Sequence, residues 1–332
     1  MALEFDAQHA SWQPSASLQM LRSRAQLLAT IRGYFEQTGA LEVETPICSS
    51  FATTDPAIES FQLAYTGPGF PASHPLYLHT SPEFPMKRLL AAGSGAIYQI
   101  CKVFRDGESG RQHNPEFTLL EWYRPDHDHH QLMEDVAALV NSVLPSPREI
   151  EYLSYHEIFK RHLDIDPHHS TRLQLQQCAK QHHITDADRL NLPSKDAWLD
   201  LLLTHCIEPQ LGKDCLSFIY DYPASQASLA KIRAGSPALA ERFELYMDGM
   251  ELANGFHELT HADEQRERFN QNIEQRRTNG QPIVPMDENL LSAINRGLPN
   301  CAGVAMGIDR LLMQITDATH IDQVLPFPIT RA

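Results

Sequence analysis

Two segments far apart in the chain constrain it most: FRDGESGRQHNPEFTLLEWYR at residues 104–124 and GVAMGIDRL at residues 303–311. The first predicts a strand, a polar loop and a returning strand, with Arg105 at the loop entrance and HNPEF at its exit. In the returning strand, period two puts Phe117, Leu119, Glu121 and Tyr123 on one face. A carboxylate and a phenol pointing the same way as two large apolar groups describe a pocket wall rather than a solvent face. The second segment gives close backbone approach at Gly303 and Gly307, then Asp-Arg at the start of a helix. Arg105 and Arg310, each beside carboxylates and open backbone, suit a bent nucleoside triphosphate, which needs charge neutralisation and a metal ion. A glycine-rich segment alone carries little weight; the pairing of the two segments carries more.

At 332 residues, with 21% charged and 42% hydrophobic residues, the chain is long enough for a large core and ordinary in composition. It has no apolar run of about 18 residues, so no membrane span is expected. Its N-terminus is neither basic nor apolar enough for a signal peptide, which predicts a cytoplasmic protein. Lys+Arg 27 against Asp+Glu 42 gives a net charge of −15. Proteins that hold nucleic acid carry a basic face, so this balance argues against tRNA as the main partner. Cys48, Cys101, Cys178, Cys206, Cys215 and Cys301 form no CxxC pair and read as reduced structural thiols. The HDHH run at 127–130, His168-His169 and His182-His183 sit in polar, turn-like stretches with no distant partner at ligand spacing. They read as solvated loop histidines rather than metal ligands.

Along the chain, residues 18–38 place Leu21, Leu28, Ile31 and Phe35 on one helical face, and Gly39 ends the helix. ALEVETP follows as a short strand closed by Pro46. LYLHTSPE at 76–83 runs from strand into turn, PMKRLLAAG reads as a short helix, and IYQICKVFR at 97–105 as an apolar strand. A mainly helical insertion is expected around 145–215, strands return at 216–260, and a last helix lies near 308–317. Read alone, Glu83 after Ser81-Pro82 is a solvent-exposed turn acid. Glu244, Glu251 and Glu258 fall seven apart, which would align them on a helix. The DG and NG turns between them describe a hairpin instead, read alone a solvated acidic one.

Taken together, these segments closely resemble motifs 2 and 3 of class II aminoacyl-tRNA synthetases, the lysyl enzymes in particular, from about residue 18 to the C-terminus. The resemblance implies an α+β fold, an antiparallel sheet flanked by helices, in a single catalytic domain over residues 1–332. It reads the first helix, its strand and Pro46 as motif 1, which implies a homodimer. It assigns Ser81, Pro82 and Glu83 to the substrate α-amino group, and Glu121 with Tyr123 to a side-chain ammonium. Asn254, Glu258 and Ala305 complete the implied substrate pocket. Arg105, Asp106, Gly107, Asn114, Glu116, Glu251, Leu252, Gly307 and Arg310 are the implied ATP contacts, and Glu244 and Glu251 the implied magnesium ligands. Arg105, Glu251 and Arg310 would carry catalysis, through positioning and charge. Two positions depart from the lysyl pattern. Gly107 stands where motif 2 has glutamate, with Glu108 one residue late, and Ala305 stands where motif 3 has glycine. One extra methyl in a tight pocket shifts preference between close substrates by roughly 1–3 kcal/mol.

With 17 residues ahead of the first helix, no anticodon-binding domain is expected. A lysyl-type catalytic domain of this extent, with Ala305, is similar to the family of synthetase paralogs that join (R)-β-lysine to elongation factor P. WQPSAS at 12–17, YPASQASLA at 222–230 and ELANGFHELT at 251–260 also resemble that family. The resemblance implies ATP-dependent activation of (R)-β-lysine as an acyl-adenylate, then transfer to a lysine ε-amino group of elongation factor P. A free-standing enzyme charging tRNA is the first alternative; the missing anticodon domain, acidic charge and Ala305 weigh against it. A catalytically inactive regulatory paralog is the second, and Arg105, Glu251 and Arg310 weigh against that.

Overall fold

A computed structural model describes residues 12–71 and 74–332. Residues 1–11, on which most of the signal-peptide argument rests, lie outside the described residues. Helix α1 (Leu18–Gln37) leads to the short strands β1 (Leu41–Glu42) and β2 (Cys48–Ser49), then β3 (Gln62–Tyr65) and β4 (His74–Leu78). Helix α2 (Glu83–Ala91), β5 (Ile97–Phe104), β6 (Glu116–Pro125) and α3 (His129–Val143) follow. Next come β7 (Glu149–Ser154), α4 (Tyr155–Leu163), α5 (Arg172–Gln181), α6 (Lys195–Leu202) and β8 (Cys215–Pro223). The last part holds β9 (Ile232–Arg233), β10 (Leu239–Met247), β11 (Met250–His257), α7 (Ala262–Thr278), α8 (Glu288–Gly297), β12 (Cys301–Gly307) and α9 (Ile308–Ile315).

The main sheet runs β1-β5-β6-β12-β11-β10-β8-β7, with β9 on β10. Its five central pairings, from β5·β6 through β10·β8, are antiparallel, and parallel strands occur only at the two ends. This is the α+β arrangement, an antiparallel sheet flanked by helices, that the resemblance implied. Alternation divides the sheet into two faces. Leu120, Trp122, Val304, Met306, Phe243 and Leu245 fill the back face against α1, α3 and α9. On the front, Ile97, Tyr123 and Cys301 pack on α2 and α8 at one end. The region 145–215 is more than helical: β7 extends the sheet, and α4 to α6 close a separate apolar cluster over β8 and β10.

Several local expectations shift. In α1 the buried stripe is Leu27, Ile31 and Phe35, an i, i+4, i+8 run, while Leu21 and Leu28 are half-buried. The strand in ALEVETP shrinks to Leu41–Glu42 on the sheet edge. The HDHH run is not a loop. A reciprocal cap between Asp128 and Gln131 starts α3 at His129, turning that side chain inward to 2% exposure.

Asp309, in the Asp-Arg pair of the second diagnostic segment, is a brace. Its carboxylate accepts the Thr118 backbone N–H of β6 at 2.7 Å and pairs with Arg24 of α1, and it is 1% exposed. The turn that presents Arg310 is thereby tied to the motif 2 strand and the first helix. Removing one partner of such a buried pair typically costs 3–5 kcal/mol. Asp309→Ala should destabilise the chain by about 3 kcal/mol in urea unfolding; a loss under about 1 kcal/mol would contradict the brace.

Candidate active site

The register of the five antiparallel pairings builds the site. Gln99, Glu121, Ala305, Asn254 and Glu244 are successive cross-strand partners and form one row over β5, β6, β12, β11 and β10. Directly opposed residues share a face, so this row crosses the front of the sheet. A second row, Ile97, Tyr123, Gly303, Phe256 and Arg242, lies beside it.

At the α2 end the front face holds a cluster of charges. Ser81 donates to Glu121 at 2.6 Å and Tyr123 to the same carboxylate at 2.7 Å. Pro82 is buried and starts α2, so Glu83 lies on its first turn rather than on a solvent turn. Lys87, one helical turn on and 1% exposed, pairs with Glu83 at 2.6 Å and Glu258 at 2.5 Å. Gly303 is required here: a Cβ would lie 2.2 Å from the Tyr123 ring and 2.6 Å from Glu258. Ala305 sits between Glu121 and Asn254, half-exposed.

The other half of the site gathers around Arg310. Its guanidinium donates to the Glu251 carbonyl at 3.0 Å, faces the Glu251 carboxylate at 3.5 Å, and meets His113 Nε2 at 2.6 Å. Glu251 reaches this face through a β-bulge. Leu245 pairs with Ala253 but Tyr246 with Glu251, so Leu252 is the extra residue. Both Leu252 and Ala253 then point into the core, and Glu251 joins the face of Glu244 and Asn254. The Leu252 side chain is core, so a contact from this residue to ATP would come from its backbone.

Arg105 lies over the Phe117 ring at 5.2 Å and 3.7 Å from Glu108, and its Nε has no hydrogen-bond partner among the described residues. Gly107 has φ +81 in this loop, a left-handed turn that favours glycine over glutamate. The carboxylate therefore arrives at Glu108, and it does reach Arg105. Asp106 is exposed, and Glu116 points to solvent 3.7 Å from Lys102. Asn114 is spent on structure: it donates to the Glu116 carbonyl at 2.6 Å and accepts the Ile329 N–H at 3.0 Å, pinning the C-terminal tail. It thus also clamps the tail beside the loop that carries Arg105. Gly307 has open space, with only Arg310 near a Cβ, at 3.8 Å.

Glu244 accepts from Tyr222 at 2.7 Å, Tyr246 at 2.6 Å, Asn254 at 3.4 Å and from Arg242. Four donors surround the Glu244 carboxylate, while the Glu251 carboxylate faces Arg310 at 3.5 Å and is the more open of the two expected magnesium ligands. Glu208, pushed up to about 7 by burial and by the nearby charges of Glu244 and Glu251, is a third acid here. Carboxylates in excess of Arg242 fit a divalent cation at Glu251. Sequence reading missed Glu208, His113, Arg242 and Lys87. Only the last two left a signal, Lys87 four residues after Glu83 and Arg242 two before Glu244 on a strand.

A sequence model of class II tRNA synthetases (D, K and N) matches residues 1–331. The chain belongs to that family. It is 48% identical over 322 residues to the elongation factor P–(R)-β-lysine ligase of Pectobacterium carotovorum, covering 97% of this chain and 98% of the relative. The proteins of the same name from Edwardsiella ictaluri and Yersinia enterocolitica are 49% and 48% identical over 97% of this chain and 99% of their own. As a class II synthetase relative aligned end to end with ligases, the chain is an ATP-dependent ligase. No helix among the described residues is long and apolar enough to cross a membrane.

In this class II site the acids outnumber the bases. Burial, with Glu83 nearby, pushes Glu121 up to about 7. Burial and Glu83 push Glu258 up to about 8 against the pull of Lys87. Lys87 itself stays charged: Glu258 and Glu83 outweigh its burial and hold it above the ordinary lysine value. With raised carboxyl pKa values, the folded chain binds more protons than the unfolded chain above about pH 4.5, so stability falls as pH rises toward 8. Urea unfolding of the ligand-free chain between pH 5.5 and 8.5 should show this slope, and Glu258→Gln should flatten it. An unchanged slope in that variant would contradict the surplus charge.

Proposed function

We propose that the chain activates (R)-β-lysine with ATP and transfers it to a lysine ε-amino group of elongation factor P. The observation that carries this reading is the charge balance of the front pocket. Glu83, Glu121 and Glu258 face one internal cation, Lys87, which leaves two carboxylates to be matched. A diamino acid brings two ammonium groups. Ionised, the pocket and such a substrate neutralise each other, whereas a neutral side chain would leave a buried carboxylate unpaired, which is costly. The Ala305 methyl lies between Glu121 and Asn254, where it takes space from the backbone portion of an α-amino acid. The relatives' shared name supplies the isomer and the acceptor.

In the first step the substrate carboxylate attacks the α-phosphorus, the bond to the bridging oxygen breaks, and pyrophosphate leaves. In the second the neutral acceptor amine attacks the mixed anhydride, giving an amide, AMP and a proton. Arg105, with its unpartnered Nε, is assigned to the α-phosphate, where charge grows in the transition state. Arg310, steadied by Asp309, is assigned to the terminal phosphate. Magnesium usually keeps one or two carboxylates and completes its shell with phosphate oxygens and water. Glu251 would hold it, with Glu208 and Glu244 contributing negative potential from behind. Bound there, the ion neutralises phosphate charge.

Residues 1–332 act as one catalytic domain with an insertion around 145–215. Exposed Leu18 and Leu41, at 70% and 59%, support a homodimer through α1 and β1. The net charge of −15 supports a protein acceptor rather than tRNA, and a translation factor as acceptor puts the reaction in the cytoplasm.

The test is ATP-dependent mass gain on purified elongation factor P with (R)-β-lysine or α-lysine. One lysyl increment, larger with the β-isomer, is expected, and Ala305→Gly should narrow the preference by tenfold or more. Pyrophosphate exchange without any gain on the factor would overturn the acceptor assignment.

A further inference from the structure

Behind the amino-acid pocket, on the opposite face of the sheet, lies a second polar cluster that the reaction does not use. His257 immediately precedes Glu258 but points the other way, as alternation along β11 requires. It is 7% exposed, and its neighbours are Glu241 of β10 at 8% and His129 of α3 at 2%. One ligand atom from each of these three side chains lies within 4.8 Å of the others. Two observations mark the cluster as more than a satisfied core network. Both ring nitrogens of His129 lack a hydrogen-bond partner among the described residues, and so does Asp221 Oδ1, which faces His129 Nε2 at 3.6 Å. A buried imidazole with two idle nitrogens is costly unless something fills the gap.

The surroundings are arranged as they are around metal-bound histidines. The outer nitrogen of His257, Nε2, meets the Asn300 side-chain oxygen at 2.8 Å. An N–H donated there leaves Nδ1 with its lone pair aimed at the Glu241 carboxylate, which is its close contact. Two lone pairs facing each other need a proton or a cation between them. Metal-bound imidazoles are usually held in the same way, by an outer acceptor that fixes the tautomer. Arg233 closes the solvent side, 2.6 Å from Asp221 and 3.6 Å from Glu241, and is itself 42% exposed in its side chain. It can swing out to admit an ion.

We propose that His129, Glu241 and His257 form a structural site for a divalent transition-metal ion, zinc by its ligand chemistry, with Asp221 as fourth donor. Two imidazoles and carboxylate oxygens suit tetrahedral zinc, with bonds of about 2.0–2.2 Å, and are poor ligands for magnesium. The atoms draw together by roughly an ångström or more on binding, as ligand separations near 3.3 Å follow from those bond lengths. The ion joins the start of α3 to β8, β10 and β11 directly under Glu258. It is a brace for the pocket floor, and the chemistry at the phosphates does not pass through it.

The experiment uses the full chain, stripped with a chelator and then titrated with Zn2+ against a chromophoric competitor, and in parallel with Co2+ as a spectroscopic probe. One equivalent of Zn2+ should bind, with a visible Co2+ band of four-coordinate intensity. His129→Gln, which keeps size and polarity, and Asp221→Asn should each weaken uptake tenfold or more, and zinc should raise the melting temperature of the unmodified chain but not of these two variants. His169→Ala, which opens the surface pair of His169 and Asp166, is the control and should change nothing. No stoichiometric uptake would overturn the site, as would uptake undiminished in His129→Gln or lost in His169→Ala.

Discussion

Five consecutive antiparallel pairings, from β5 to β8, hold the molecule's chemistry in register. Every residue of the front row, Gln99 to Glu244, comes from a different strand and reaches its neighbour only because each pairing is in phase with the next. A slip of one residue in any strand would send its polar member into the apolar back face. The single irregularity within β11 is used. The bulge at Leu252 puts two successive side chains, Leu252 and Ala253, into the core and frees Glu251 to face Arg310. A regular strand would have buried that acid.

On this frame the front face is divided by charge. One end, around Lys87, collects carboxylates in surplus, which suits cationic groups; the other sets Arg105 and Arg310 beside Glu251, which in the proposed reaction suits phosphates and their metal ion. Between them lie Ala305 and Asn254, where a carboxylate entering with its ammonium groups on one side would meet the α-phosphate on the other. The arginines are placed by their protein neighbours. Asp309 fixes the turn of Arg310, Phe117 supports Arg105, and Asn114 locks the C-terminal tail to the entrance of β6.

Much of this was legible in the sequence, for identifiable reasons. Glu121 and Tyr123 obey a period of two in an uninterrupted strand, so their shared face could be read from spacing, and the carboxylate-phenol hydrogen bond bears it out. The arginines at the ends of glycine-containing turns were readable from type and context. What was not legible depends on cross-strand or tertiary partners. The direction of Glu251 turns on a bulge with no glycine to mark it. Nothing in the sequence marks the bond that Asn114 accepts from the distant Ile329. Lys87 sits in a helix whose sequence does not reveal that Glu258, far along the chain, will lie against it. His129 belongs to a polar run that reads as loop, and only the helix cap at Asp128 turns it inward.

The central claim is that the pocket carries two carboxylates it cannot neutralise by itself and that a diamino substrate completes the charge. Titration calorimetry of (R)-β-lysine at pH 7, in buffers of different ionisation enthalpy, counts the protons exchanged on binding. The account predicts release of about one to two protons as Glu121 and Glu258 ionise against the incoming ammonium groups, and a smaller release in Glu258→Gln. Binding with no dependence on buffer would mean that the carboxylates are already charged in the free pocket, and would contradict it.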